Sequence, residues 1–356
     1  MAPIIHENDD GAATALVLAT QKLSLATTEL DRKFSQYRSV VPLLSNPNVL
    51  YLNSTFMPLS NLLVHQALTN FAHEALHNLS PKAAWLSAVK DTRELVARYL
   101  KTDSSTISFT RDTSEGLSYF IRSVPLQAGD NVVRLVPTIA EAERSGKVEA
   151  ANAATFAPYV DDQTRVIGLS TIMFHSGQWN DVQDICSTYR PRGIHVLADL
   201  TQQARFTKVD VRAMGVSAAA FSLHKGLNCP TGFGALYVDQ QVLEELNPTP
   251  ATVTFASLAS KRSDFLASED PIELHNSARR YGHWNQNISA SAAARAYLGF
   301  YLDTMGPKNV QDYLYRLGDE LRKECKELGI QIVGARESKG ACATSVYPGS
   351  KPASVV

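Results

Sequence analysis

The stretch "FSLHKGLNCPTGFGALYV" (221–238) places Lys225 just after a run that reads as a buried strand and just before a Gly/Pro-rich turn. An amine at the mouth of a sheet is hard to solvate, so its position invites a chemical role. Upstream, Asp199 ends "IHVLAD" (194–199), Gln202 follows three residues later, and Ser222 ends "AAAFSL" shortly before the lysine. "DTSEG" (112–116) lies between a strand and the start of a helix. In open α/β sheets ligands gather outside the carboxyl ends of the strands, where all of these residues fall. A helix N-terminus offers free N–H groups and a positive dipole end, which suits a phosphate. Thr113, Ser114 and Ser222 could add hydroxyls.

Taken singly, each feature has a plainer reading. Asp112 to Glu115 is a capping box, which is compatible with a phosphate site. Lys225 could be a surface lysine snorkelling from a strand end, and Asp199 a helix or turn cap. Together, a lysine beside a carboxylate at a phosphate site suggests pyridoxal phosphate. The amine forms a Schiff base with the aldehyde, the carboxylate keeps the ring nitrogen protonated, and the ring accepts the electrons of a carbanion at a substrate α-carbon.

The elements that must position these residues follow from the pattern of apolar residues. Helical spacing runs from Leu62 to Leu100, broken near "NLSPK" (78–82). "NVLYLNSTFMPLS" (48–60) reads as a short strand entering a loop. Apolar runs at 107–110, 131–136, 165–171, 194–199, 218–223 and 232–238 read as strands, several of them covered on both faces. Helical segments, such as the one that opens in 111–124 and that at 181–190, lie between some of them, which argues for an α/β domain with a mostly parallel sheet. Long helices are expected at 289–304 and 310–328, and "IQIVGA" (330–335) as the start of a small sheet.

Composition excludes several function classes. The 356 residues carry 34 basic and 35 acidic side chains, so nothing calls for nucleic acid or an anionic membrane as partner. No stretch has the length of a membrane span, and the start "MAPIIHENDD" has no apolar signal region. The four cysteines show no zinc spacing, so no metal is expected and a reducing, cytoplasmic compartment suits the chain.

The block 198–238, with Asp199, Gln202, Val209, Asp210, Ser222, His224, Lys225, Gly232 and Gly234, resembles the central block of the class V aminotransferase family, fold-type I pyridoxal-phosphate enzymes. "YLNSTFMPL" (51–59), "FTRDTSEGL" (109–117) and "LQAGDNVV" (126–133) resemble its earlier blocks in the right order, and the likeness runs from about 48 to about 328. The flavour is that of the isopenicillin N epimerase-like branch, which includes fungal alkaloid-pathway homologues. The resemblance implies a large cofactor-binding domain over 61–245, with a mainly parallel sheet. It implies a smaller α+β domain from 1–60 and 246–356, and a homodimer acting on a small-molecule amino acid. It implies that Lys225 holds the cofactor and shuttles the α-proton, that Asp199 pairs with the ring nitrogen, and that Gln202 bonds the ring hydroxyl. Thr113, Ser114, Ser222 and His224 would hold the phosphate, although a buried structural histidine is an equal reading of His224. Asn285 would approach the phosphate of the dimer mate. Asn53 and Ser54 fall in a block that can meet the substrate.

The chain also departs from the family pattern. The strand and helix expected between Val133 and Arg134, with the residue that stacks on the ring, are missing. Met173 and Phe174 stand where an asparagine is common, leaving Phe174 or His175 to cover the ring. The family usually continues past "SVYPGSKPASVV" to an arginine for the substrate carboxylate, and Arg279 and Arg280 substitute by position only. A cysteine desulfurase is disfavoured, because none of the cysteines sits in a recognisable loop; Cys342 is the best candidate and reads better as a small packing residue. The expectation is an epimerase-, lyase- or aminotransferase-like enzyme, with a cofactor-binding but catalytically impaired dimer as the alternative.

Overall fold

Thr28 and Asp31 open the described chain with reciprocal hydrogen bonds: Thr28 N–H donates to Asp31 Oδ2 (2.8 Å) and Asp31 N–H to Thr28 Oγ1 (3.2 Å). They cap α1 (Glu29–Ser35). This is a computed structural model, and it describes residues 28–49, 51, 57–79, 81–135, 150–174, 177–247, 259, 273–283, 286–329, 332–333 and 345–346. Asn61 caps α2 (Leu62–His77) by accepting from Val64 N–H at 3.0 Å. Pro81, which cannot donate inside a helix, starts α3 (Lys82–Leu100), so the break expected near 78–82 is present.

The sheet follows: β1 (Ile107–Thr110), α4 (Thr113–Ser123), β2 (Asn131–Arg134), α5 (Ala153–Phe156), β3 (Thr164–Ser170), α6 (Val182–Tyr189), β4 (His195–Asp199), α7 (Val211–Met214), β5 (Ala218–Ser222), β6 (Gly234–Val238) and α8 (Gln240–Leu243). The strand order is β1-β6-β5-β4-β3-β2. β2 to β5 run parallel and β6 is antiparallel to both β5 and β1, so the carboxyl ends of β1 to β5 share one edge. Alternation along the strands splits the core. Phe109, Ala219, Phe221, Ala235 and Tyr237 join one buried cluster with residues of α3, while Val166, Leu197, Ala218, Ala220, Leu236 and Val238 join another with Tyr119 and Phe120 of α4.

The chain continues into α9 (Ile288–Phe300), a π turn at Tyr301–Met305, α10 (Pro307–Glu327) and a short ladder of β7 (Ile332–Val333) with β8 (Ser345–Val346). The long helices thus start earlier than their spacing suggests. Asn287 caps the first (accepting from Ala290 N–H at 3.1 Å), and Gly306 and Pro307 mark the start of the second. α9 packs on α2 and α3, where buried Ala290, Ala293 and Ala294 permit close approach and Ser291 Oγ donates to Thr92 Oγ1 (3.0 Å). β2 runs unbroken across the Val133–Arg134 junction and pairs with β3 up to Arg134–Gly168, with a register shift between Asn131 and Val132. Most of the expected strand at 48–60 lies outside the described residues or in no regular element.

Candidate active site

Three hydroxyls meet where β1, β4 and β5 end. Thr113, the first residue of α4, donates its N–H to Ser222 Oγ at 3.1 Å, and the two hydroxyls lie 2.7 Å apart. Thr113 Oγ1 also lies 2.7 Å from Thr201 Oγ1, which accepts from Ser222 N–H at 3.4 Å. Asp112 caps the helix by accepting from Glu115 N–H at 2.8 Å, but the Glu115 carboxylate accepts from Arg111 N–H rather than from the N–H of Asp112, so the helix starts on a single N-cap and not on the expected capping box. Ser114, exposed in the same turn, keeps a backbone N–H that no helical carbonyl can satisfy. The result is a set of donors able to hold a tetrahedral anion. Sequence reasoning misses Thr201; its only signal is a hydroxyl in "DLTQQ", between Asp199 and Gln202.

Asp199 ends β4 beside this cluster. Its Oδ1 accepts from Thr201 N–H at 2.8 Å and its Oδ2 from Ser170 Oγ at 3.3 Å, so the carboxylate is fixed from both sides. Gln202 is buried next to it. Lys225 follows β5 and is half-buried. Burial lowers its pKa, and the charge of Asp199 opposes that shift. Among the described residues only the Asp199 charge, and no hydrogen bond, acts on the Lys225 amine. His224 is pushed down by burial and then by the Lys225 charge, against Asp112. It therefore stays neutral near neutral pH and can offer a hydrogen bond rather than a positive charge.

Close backbone contacts set this geometry. A Cβ on Gly226 would lie 1.8 Å from the Ala204 carbonyl oxygen, so the Lys225 turn rests directly on the turn that follows Asp199. A Cβ on Gly234 would lie 2.9 Å from Asp112 Cα, which lets the start of β6 pass against the helix cap. Asn228 takes a left-handed backbone (φ 55) after the lysine and donates Nδ2–H to Leu59 O at 2.7 Å. Behind the cap, Glu115 accepts from Arg111 N–H (2.7 Å) and Nε–H (2.8 Å) and lies 3.3 Å from His283 Nε2, which is 2.8 Å from Tyr119 Oη. Burial pushes the Glu115 carboxyl up, but the Arg111 hydrogen bonds outweigh it and hold it below its ordinary value.

The structure thus brings together Lys225, Asp199, Gln202, Thr113, Ser114, Ser222 and His224. Phe174 is 67% exposed while its neighbour Met173 is buried. Arg280 is buried, and its guanidinium donates to the His275 carbonyl (3.1 Å) and the Leu243 carbonyl (3.4 Å). Those bonds tie down the 3₁₀ turn Ala278–Tyr281, whereas Arg279 in the same turn is exposed. Asn53, Ser54, His175, Asn285 and Cys342 lie outside the described residues. Among the described residues no group of acidic, histidine or cysteine side chains could hold a metal, and no helix is long and apolar enough to cross a membrane.

The donor set fits pyridoxal phosphate: a partly desolvated amine without an ion-pair partner, an anchored carboxylate and a hydroxyl-lined helix start. Comparison with known proteins agrees. The family model for aminotransferase class V matches residues 134–346. An uncharacterized protein of Schizosaccharomyces pombe is 43% identical over 330 residues, 86% of this chain and 74% of its own length. An uncharacterized aminotransferase of the same yeast is 39% identical over 340 residues, 88% of this chain and 84% of its own. Among solved structures, a cysteine desulfurase from Thermococcus onnurineus superposes with a TM-score of 0.73 at 20% identity, over 92% of this chain and 85% of that one. A variant of the protein C-DES, with glycine covalently linked to its pyridoxal-phosphate cofactor, gives 0.75 at 19%, over 88% and 86%. The fold is therefore that of the fold-type I enzymes, their cofactor is pyridoxal 5'-phosphate, and the chain belongs to the class V aminotransferase family.

Proposed function

We propose that this chain binds pyridoxal phosphate on Lys225 and removes the α-proton of a small-molecule amino acid. The observation that carries the reading is the half-buried Lys225 amine, depressed in pKa and without an ion pair among the described residues, at the strand edge shared with Asp199 and the Thr113–Thr201–Ser222 hydroxyls. When bound, the cofactor supplies an aldehyde that captures amines and a ring that takes up the electron pair left on the α-carbon. Lys225 would hold the cofactor's aldehyde end and would serve as the base for the substrate α-proton. Its lowered pKa keeps more of the amine in the neutral, nucleophilic form than an ordinary lysine has at the same pH. Asp199, oriented by Thr201 N–H and Ser170, stabilises positive charge on the ring nitrogen. Gln202 would meet the ring hydroxyl, and the three hydroxyls with Ser114 N–H would hold the phosphate.

The reaction that follows is epimerase-, lyase- or aminotransferase-like, in the isopenicillin N epimerase-like manner that the sequence blocks resemble; the relative named an aminotransferase supports the class V family rather than that branch. A desulfurase needs a reactive thiolate. The three described cysteines are buried instead, with the Cys186 thiol pushed up to about 12 by burial, and Cys342, outside the described residues, stands in no recognisable loop motif. The same proposal includes a homodimer and a cytoplasmic setting, the latter supported by buried thiols without disulfides. It also includes the two-lobed division into 61–245 and 1–60 with 246–356. All six strands of the main sheet fall in the first lobe and the β7–β8 ladder in the second.

The test is reconstitution with the cofactor, borohydride reduction and peptide mapping, followed by α-proton exchange in deuterated water over a panel of amino acids. The adduct is expected on Lys225, with exchange of at least one amino acid. An adduct mapping elsewhere refutes the site. An adduct on Lys225 without any exchange leaves a cofactor-binding dimer that does not turn over.

A further inference from the structure

Two arginines and a histidine gather beside β1 with little to balance their charge. Arg93, on α3, carries its guanidinium over the Phe109 ring at 5.4 Å, and Phe109 packs against Phe233 at 4.6 Å. Arg93 Nε is buried and donates to nothing among the described residues. The turn Ala278–Tyr281 packs on β1 and β6, and Arg280, tied to the His275 and Leu243 carbonyls, fixes it there. Among the described residues the Arg279 guanidinium meets no carbonyl, and its charge acts on Arg93. Burial, and after it the charge of Arg279, lowers Arg93 to about 10; only Glu94, an exposed side chain, opposes. His275 is pushed down by burial, then by Arg279 and Arg93.

Arg93 is the desolvated member, with its Nε unsatisfied, and Arg279 reaches it from the exposed side, so an anion entering from solvent can meet both charges; the face of Phe109 compensates only part of the cost of burying Arg93. The planar fork of an arginine matches a carboxylate or phosphate. The cluster also lies at the right edge of the sheet. Arg93 stands about 10 Å along α3 from Leu100, at a rise of roughly 1.5 Å per residue. Phe109 is next to the carboxyl end of β1. Only β6 separates β1 from β5, so the cluster lies about 10 Å across the sheet from the strand that leads to Lys225, at two strand spacings.

We propose that Arg93, Arg279 and His275 form an oxyanion subsite that receives the far carboxylate of a dicarboxylic amino acid whose amine reacts at Lys225. This assignment of substrate class rests on the function proposed above. The shared chemistry is an oxyanion, which could also come from free phosphate, so both are probed.

Glutarate, glutaramide and inorganic phosphate are titrated into the full chain, with and without pyridoxal phosphate, and binding is followed by calorimetry. Glutarate is expected to bind saturably and glutaramide not to bind. Affinity for glutarate should fall at least tenfold in both Arg93→Met and Arg279→Ala. Because Arg93 is partly buried, Arg279→Ala keeps the test decisive if the other variant does not fold. In the loaded enzyme, the preference for glutamate over glutamine in α-proton exchange should fall at least tenfold in Arg279→Ala, with the absorption spectrum of the Lys225 adduct unchanged. No saturable glutarate binding, or equal binding by Arg279→Ala, overturns the subsite. Phosphate binding that glutarate does not compete with overturns the substrate assignment. So does loss of self-association in Arg279→Ala without any glutarate binding, since a partner's carboxylate would then be the anion. Glutarate binding is read without cofactor, so a failed Lys225 adduct sinks the function and leaves this measurement standing.

Discussion

At the scale of single residues, the site depends on how Lys225 and Asp199 alter each other. Burial weakens the hold of Lys225 on its proton, and the Asp199 charge strengthens it. Between the lowered folded value and the ordinary value of 10.5, the unfolded chain binds a proton that the folded chain has released. Stability therefore rises with pH through that window, and below it the buried charged amine weighs fully against folding. Asp199→Asn removes the opposing charge, so the amine should titrate at still lower pH. The rate at which an amine reagent labels Lys225 in cofactor-free protein, followed against pH, measures this, and an upward shift in the variant contradicts the assignment. The same substitution should slow α-proton exchange by orders of magnitude, because charge stabilisation at a reacting centre is worth a few kcal/mol. Thr201→Val probes the hydroxyl cluster: losing one hydrogen bond of about 1 kcal/mol should weaken pyridoxal phosphate several-fold and leave pyridoxal, which lacks the phosphate, unaffected. Equal losses for both ligands would mean that Thr201 acts only through the backbone.

At the scale of elements, two turns pressed together position the lysine. Gly226 lies against the Ala204 carbonyl, both on backbone, so neither can move aside as a flexible side chain could. Gly226→Ala should cost about 2 kcal/mol or more in urea unfolding, the usual range for overpacking a tight site. It should also reduce cofactor capture, since the Lys225 turn must lift. Gly299, inside α9, has open space where a Cβ would stand, with no atom within 4 Å. Gly299→Ala should therefore be neutral or stabilise by up to about 1 kcal/mol through helix propensity. Similar losses at both positions would show that the contact at Gly226 has no special weight.

At the scale of the molecule, one sheet edge collects residues from β3, β4, β5 and α4, so a ligand that bridges them should stabilise the whole fold. Pyridoxal phosphate at a hundredfold excess over its dissociation constant should add about 2.7 kcal/mol. In thermal melts this appears as a rise of several degrees, smaller with pyridoxal and smaller in Lys225→Ala. A melt that the cofactor does not move speaks against a preformed site.

Strand and helix order can be read in the sequence because local patterns carry it. Continuous apolar runs mark strands buried on both faces, and the Pro81 break and the Asp112 cap act within a turn of their own positions. Lys225, Asp199 and Gln202 are legible for the same reason, each lying at or just after the end of such a run. The contribution of Thr201 is not, because it depends on three strand ends converging, with partners 88 and 21 residues away in the chain. Nor can the sequence separate Arg279 from Arg280, which are neighbours of one type. Only packing commits Arg280 to two backbone carbonyls and leaves Arg279 facing Arg93. Short-range periodicity and capping chemistry are written along the chain, whereas burial, desolvation and the balance of charge exist only once distant segments share a volume.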